Sequence, residues 1–137
     1  MLPVVRGIVW ATREEAARMG LAQQGTRRWA YRWIEAHVRN LAGIRTLADL
    51  GGGGIESELC NRLSPFAGQV LVVDKMGAAG AKGNIRQVLQ DMEGGLKEIQ
   101  DGSIDVVVSA SAIEHLTAAG QARTFSEVQR ILSPGGV

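Results

Sequence analysis

The residues best suited to chemistry fall at four points along the chain. Asp49-Leu50 opens into four glycines, Gly51 to Gly54. Asp74-Lys75-Met76 follows a second apolar run, 25 residues after Asp49, and Asp91-Met92 follows a third. Ser109 closes a fourth, with Glu114 and His115 shortly after it. A glycine run at a strand-to-helix turn permits positive φ and lets a ligand lie against bare backbone. An acidic residue closing the next strand can accept both hydroxyls of a ribose. The pattern thus points to capture of a nucleoside-bearing ligand. Each aspartate alone also reads as a helix cap or turn former.

The elements between these points position them. Val70 to Val73, Ile85 to Leu89 and Ile104 to Val108 are short apolar runs, as is Thr46 to Leu50. Leu59, Cys60 and Leu63 share one side of a helix that ends by Pro65 and Gly68. Gln121 to Leu132 reads as another helix, with Phe125, Val128, Ile131 and Leu132 as its apolar side, stopped by Pro134-Gly135-Gly136. Continuously apolar strands alternating with helices predict an α/β fold whose mostly parallel sheet is covered on both faces. In such sheets the carboxyl ends of the strands share one rim, and ligands bind there.

Before Thr46 the pattern is helical. Glu14 to Met19 reads as a short helix. Thr26 caps a second one from Arg27, whose stripe holds Trp29, Trp33 and His37 with Ile34, Val38 and Leu41. Gly43 supplies its stop. Residues 1–44 are too few to bury a core of their own, which predicts a helical cap on a domain spanning 45–137. The tryptophan stripe reads as core, and His37 as a surface or partner-bonded histidine.

Composition narrows the function. The chain has 137 residues, 45% of them hydrophobic, with net charge +1 and one cysteine. That suits a single domain. Cys60 alone excludes an intrachain disulfide and a cysteine-cluster zinc site, and fits a reduced, cytoplasmic setting. Six aromatic residues are too few for a stacking platform, so there is no strong nucleic-acid signal. No apolar run is long enough for a membrane span, and a signal peptide is not expected. Residues 1–45 carry eight arginines against Glu14, Glu15 and Glu35, while the remainder is net acidic. That basic leader reads as a solvated helix face, with approach to an anionic partner or membrane surface as the alternative. No metal constellation or catalytic triad is visible.

The motifs resemble those of the class I S-adenosylmethionine-dependent methyltransferases, especially the small-molecule type with a D-x-G-x-G-x-G loop. Asp49-Leu-Gly51-x-Gly53 is similar to the first motif, and Val70-Leu-Val-Val-Asp74 to the second-strand segment. Asp101-Gly-Ser-Ile-Asp-Val-Val-Val-Ser109, running into Ala112-Ile-Glu-His-Leu116, resembles the fourth-strand motif. Arg130-Ile-Leu-Ser-Pro-Gly-Gly136 resembles the approach to strand five. The resemblance covers about residues 46–137. It implies a Rossmann-like three-layer sandwich and S-adenosyl-L-methionine as cofactor. It also implies residue roles. Gly51, Gly52 and Gly53 would lie against the methionine portion, and Asp49 would orient its ammonium. Asp74 would hold the ribose hydroxyls, flanked by Lys75 and Met76. Asp91 would accept from the adenine amino group, with Met92 at the ring edge and Ser109 near the cofactor. Glu114 and His115 would face a small-molecule methyl acceptor. His115 is the better general base, because histidine ordinarily titrates near neutrality.

Three departures qualify the resemblance. Ile55 stands where the third loop glycine usually falls. The glycine-rich link from Asp74 to Ile85 is too short for the usual helix. The family's C-terminal strands are missing, since strand five would begin near Val137. That predicts a fragment of a longer protein, with an exposed strand-four edge open to self-association. Two other functions compete. A nicotinamide-dependent reductase would need glycine at Glu56 or Ser57 in its G-x-G-x-x-G loop and a Tyr-x-x-x-Lys pair, and Tyr31 is the only tyrosine. A non-catalytic binding module would keep the fold without turnover.

Overall fold

The computed structural model describes residues 28–137. The expected helix over Glu14–Met19, the cap at Thr26 and the start at Arg27 lie outside the described residues. Helix α1 covers Arg28–Arg39, β1 Thr46–Leu50 and α2 Glu58–Leu63. They are followed by β2 at Gln69–Asp74, β3 at Ala81–Lys82, β4 at Ile85–Leu89, β5 at Val106–Val108 and α3 at Ala118–Ile131. The strands form one sheet in the order β3-β4-β2-β1-β5. All its pairings are parallel except β3 with β4.

Because successive strand residues point to opposite faces, each apolar strand feeds two cores. Leu47, Val70, Val72, Ile85, Val106 and Val108 face one side, where Trp33, Ile34 and Val38 of α1 and Leu59, Cys60 and Leu63 of α2 cover them. Ala48, Leu50, Leu71, Val73 and Val88 face the other, against Leu96, Ile99 and Ile131. The result is the expected three-layer α/β arrangement. Helix α1 shares its cluster with β1 and β2.

Local chemistry sets the helix starts. Ser57 accepts from the Cys60 N–H to cap α2, and Thr117 accepts from the Gly120 N–H to cap α3. The helix read from Gln121 therefore begins three residues earlier, at Ala118. Its buried positions are Gly120, Thr124 and Ile131, while Phe125 and Val128 are only half-buried. At Gly120 a Cβ would meet the Glu93 carboxylate, which accepts from both N–H and hydroxyl of Thr117. On α1, Trp29 is half-buried and Leu41 exposed, so the stripe is narrower than its sequence pattern. His37 bonds the Trp33 carbonyl at 2.8 Å.

No helix joins β2 to β4. The chain instead forms the small edge strand β3 and turns back at Gly83, in agreement with the short link seen in the sequence. The fourth apolar run is a strand only over Val106–Val108, and Ile104 makes an isolated bridge to Leu132. The turn at Pro134-Gly135-Gly136 delivers Val137 alongside β5. There Val137 accepts from the Val107 N–H and donates to the Asp105 carbonyl. That stretch of the edge is therefore paired within the chain.

Asp105 ties three segments together. Its carboxylate accepts from the Arg45 and Thr46 N–H groups, the Arg45 guanidinium and the Ser133 hydroxyl. These donors, the Arg45 side chain foremost, hold its carboxyl well below the usual range. Asp105→Ala is expected to lower unfolding free energy by about 2–4 kcal/mol, seen as a reduced urea midpoint at neutral pH. An unchanged midpoint would mean that water replaces all four bonds without loss.

Candidate functional site

The parallel register brings Asp49 beside Val72 and Val108, and Asp74 beside Leu89. The carboxyl ends of β1, β2, β4 and β5 consequently share one rim, as the sequence implies. At this rim lies a cavity of about 170 Å³, lined by Asp49, Gly51, Gly52, Gly53, Asp74, Tyr31, Ser57, Leu59, Ala110 and Ser111.

Asp49 points to the face covered by α2 and is 1% exposed. One carboxylate oxygen, Oδ2, accepts from the Cys60 thiol at 3.2 Å. The other, Oδ1, has no partner among the described residues. Burial raises the Asp49 pKa to about 6, with the nearby Asp74 charge adding to the rise and the Cys60 bond opposing it. The Cys60 thiol is pushed up by burial and by Asp49, so it stays protonated and donates.

The glycine loop is bare for two distinct reasons. Gly51 has φ +77°, and a Cβ there would lie 2.2 Å from Ala112. Gly52 has no such angle, yet its Cβ would come within 2.5 Å of Asp49 Oδ2 and 3.1 Å of Val72. Any side chain at Gly52 would displace the buried carboxylate.

Asp74 is bound to the loop itself. Its Oδ2 accepts from the Gly53 N–H at 2.9 Å and its Oδ1 from the Met76 N–H at 2.8 Å. Each oxygen retains a lone pair that can accept a further donor. Gln87, buried on β4, donates its side-chain amide to the Gly53 carbonyl at 3.2 Å and reaches the Met76 carbonyl at 3.5 Å. It links the loops that follow β1 and β2.

The remaining sequence candidates sit farther round the rim. Lys75 and Met76 are exposed beside Asp74. Asp91 is exposed and caps a short 3-10 turn by accepting from the Glu93 N–H. Met92 is buried beneath Gly51, its Cε 3.4 Å from where a Cβ would stand. Ser109 donates to the Leu50 carbonyl at 2.9 Å, joining the ends of β5 and β1. Glu114 and His115 are exposed on the 3-10 turn Ile113–His115 and do not line the cavity.

Sequence reasoning passed over Tyr31, Gln87 and Ser111. Tyr31 lies three and seven residues before Ile34 and Val38, the inner stripe of α1, and that spacing was its signal. Gln87 is a polar residue on the inward side of an apolar strand, the pattern of a buried hydrogen-bonding group. Ser111 has φ +55°, which nothing in its residue type announces.

A parallel α/β sheet with a bare glycine loop and a buried acid at its carboxyl rim defines the Rossmann-like class of nucleoside-cofactor proteins. Within that class the methyltransferase domain family matches residues 48–137, and the chain belongs to that family. No curated protein matches it. Solved structures agree on the fold. The chain is similar to Burkholderia thailandensis 1,6-didemethyltoxoflavin-N1-methyltransferase, a structure with bound 1,6-didemethyltoxoflavin and S-adenosylhomocysteine. The identity is 16% over 96% of this chain and 64% of that one, with TM-score 0.64. It is also similar to the Haloferax volcanii protein solved in complex with the Trm112 methyltransferase activator, at 20% identity, 90% and 55% coverage and TM-score 0.62. A SAM-dependent methyltransferase from Archaeoglobus fulgidus matches at 19% identity, 80% and 50% coverage and TM-score 0.58. The chain spans between 42% and 65% of the length of such structures. The fold is that of the class I S-adenosylmethionine-dependent methyltransferases.

Whether these residues suit the cofactor is a question of shape and charge. The cavity of about 170 Å³ is too small for a whole nucleoside cofactor, since drug-sized sites span roughly 300–1,000 Å³. It suits one end. An unpartnered, buried carboxylate oxygen calls for a cationic donor, and the methionine portion of S-adenosylmethionine ends in an ammonium. The exposed apolar side chains of Met76 and Leu89 leave a surface beyond Asp74 for a flat apolar group. The residues fit the cofactor.

Proposed function

We propose that this chain is the cofactor-binding part of an S-adenosylmethionine-dependent methyltransferase acting on a small-molecule acceptor. The observation that carries this reading is that Asp49, whose Oδ1 has no partner among the described residues, lines the same cavity as the bare glycine loop and Asp74. In this reading Asp49 pairs with the cofactor ammonium, and Gly51 to Gly53 let its methionine portion lie against backbone. Asp74 accepts from the ribose hydroxyls with the lone pairs that Gly53 and Met76 leave free. Lys75 and Met76 flank the adenosine, with Asp91, Met92 and Ser109 farther along the rim.

When bound, the cofactor supplies a methyl group activated on a sulfonium sulfur. The protein's part is alignment, because proximity and orientation provide much of the rate in a direct displacement. Gln87 and Asp74 serve that end by fixing both loops before ligand arrives. Glu114 and His115, exposed on the turn after β5, face the acceptor, and His115 takes its proton where one must leave. Residues 1–44 cap the acceptor side in this reading, and Tyr31 of α1 reaches the cavity given to the cofactor's methionine end.

Titration calorimetry of the 137-residue chain with S-adenosylhomocysteine and with NADH tests the reading. Saturable binding of the first and none of the second is expected. The reverse would favour a reductase. Binding without methyl transfer to any acceptor, in a protein extended to the length of its structural relatives, would favour a binding module.

A further inference from the structure

The Cys60 thiol lies in the apolar layer of α2 and is fully buried, a place where cysteine ordinarily acts as a small hydrophobe. Here it does something more specific. Its Sγ stands 3.2 Å from Asp49 Oδ2 and is the only side-chain donor to that carboxylate among the described residues. Gly52 walls the same oxygen, since a Cβ there would come within 2.5 Å of it. Oδ2 is thus fixed between thiol and glycine, while Oδ1 is left without a partner in a residue that lines the cavity.

We propose that Cys60 is a positioning residue for ligand binding. Its thiol holds Oδ2 of Asp49 so that the carboxylate stays ionised, its charge available to a cationic ammonium in the cavity that Asp49 lines. The inference rests on the cofactor reading above and deepens it by naming the group that sets the charge state of the ammonium site. No atom is transferred. The thiol keeps its proton throughout, because burial and the adjacent carboxylate both disfavour a thiolate.

Among the described residues the charged and titratable groups around Asp49 are few, which makes the effect readable. On α2 there is Cys60. At the end of β2 there is Asp74, whose charge opposes ionisation of Asp49. On α1 there is Tyr31, across the same cavity. From β5 and the turn beyond it come only Ala110 and Ser111. Among the described residues no cation lines the cavity, and the thiol is the one side chain there favouring the ionised form.

The test compares the wild-type chain with Cys60→Ala and Cys60→Ser, measuring S-adenosylhomocysteine affinity from pH 5 to pH 8.5. Cys60→Ala should move the acid limb of binding upward by about one pH unit. Affinity should then fall about fivefold at pH 6 and hardly at all at pH 8.5. Cys60→Ser, which restores a donor, should return the limb to its wild-type position even if the fold is less stable. The same midpoint in all three proteins would overturn the proposal, because a merely structural cysteine would change stability and not the midpoint. A second readout needs no ligand. The Asp49 carboxyl carbon, followed by NMR in the unliganded chain, should titrate higher in Cys60→Ala than in wild type. If S-adenosylhomocysteine binds none of the proteins, the cofactor reading fails. The carboxyl resonance then decides the thiol's effect on its own: a raised midpoint supports it and an unchanged one overturns it.

Discussion

Asp74→Ala is expected to weaken S-adenosylhomocysteine binding by about a hundredfold or more. Two ribose hydroxyls donating to a carboxylate contribute about 1.5–3 kcal/mol each, and the substitution removes both acceptors. It also releases the Gly53 and Met76 N–H groups that Asp74 now holds at 2.9 and 2.8 Å. Both lie in exposed segments where water can replace the lost bonds, so the loop should loosen without unfolding the sheet. Stability should therefore fall much less than affinity. Asp74→Asn separates the two roles: its single carbonyl oxygen keeps one acceptor, so it should bind with intermediate affinity. Calorimetry at constant pH, with circular dichroism to confirm the fold, reads all three proteins. Unchanged affinity in a folded Asp74→Ala protein would remove Asp74 from the site.

That expectation rests on strand ends, which are legible in sequence. Thr46 to Leu50, Ile85 to Leu89 and the residues around Val70 read as strands, since short β-rich apolar runs between glycines and aspartates have few other uses. Asp49, Asp74 and the glycines followed, being fixed by where those strands stop. The α3 start was missed because Ala118-Ala119-Gly120 lacks an apolar stripe. Thr117 and the Glu93 carboxylate set that start, and Glu93 is 24 residues away. The same limit applied to Cys60. Its helical spacing marked it as core, but only the crossing of α2 over β1 shows that its thiol meets a carboxylate. Asp91 carried two readings in sequence, and the structure gives it a capping bond without removing it from the rim. Long-range polar pairings are what residue order cannot supply.

Asp49→Asn is expected to act on stability and on binding in opposite directions. In the folded chain burial raises the Asp49 pKa to about 6 from an ordinary value of 3.8. A carboxyl whose folded pKa is raised binds its proton more tightly in the folded state, so stability falls as pH rises between about 4 and 6 and is level above that. The ionised buried group then costs on the order of 3 kcal/mol at neutral pH. Asparagine carries no charge and should recover part of this, less whatever its amide loses in hydrogen bonding. Glu127 works the other way. Arg130 foremost, with the Leu96 N–H, holds its pKa down at about 2, so its contribution is present above about pH 4.5 and is lost as pH falls towards 2. Asp105 is depressed likewise, by Arg45 above all, and adds to the same acid limb. Together these groups place the stability maximum of the unliganded wild-type chain on the acidic side, near pH 4–5. In Asp49→Asn the decline between pH 4 and 6 should vanish while the acid limb remains. Binding should move oppositely, because asparagine offers the ligand's ammonium no opposing charge, and affinity should fall about tenfold or more. Urea denaturation at pH 4.5 and 7.5 with calorimetry at pH 7.5 reads both effects. A variant less stable than wild type at pH 7.5 would show that the carboxylate is already paired in the unliganded chain.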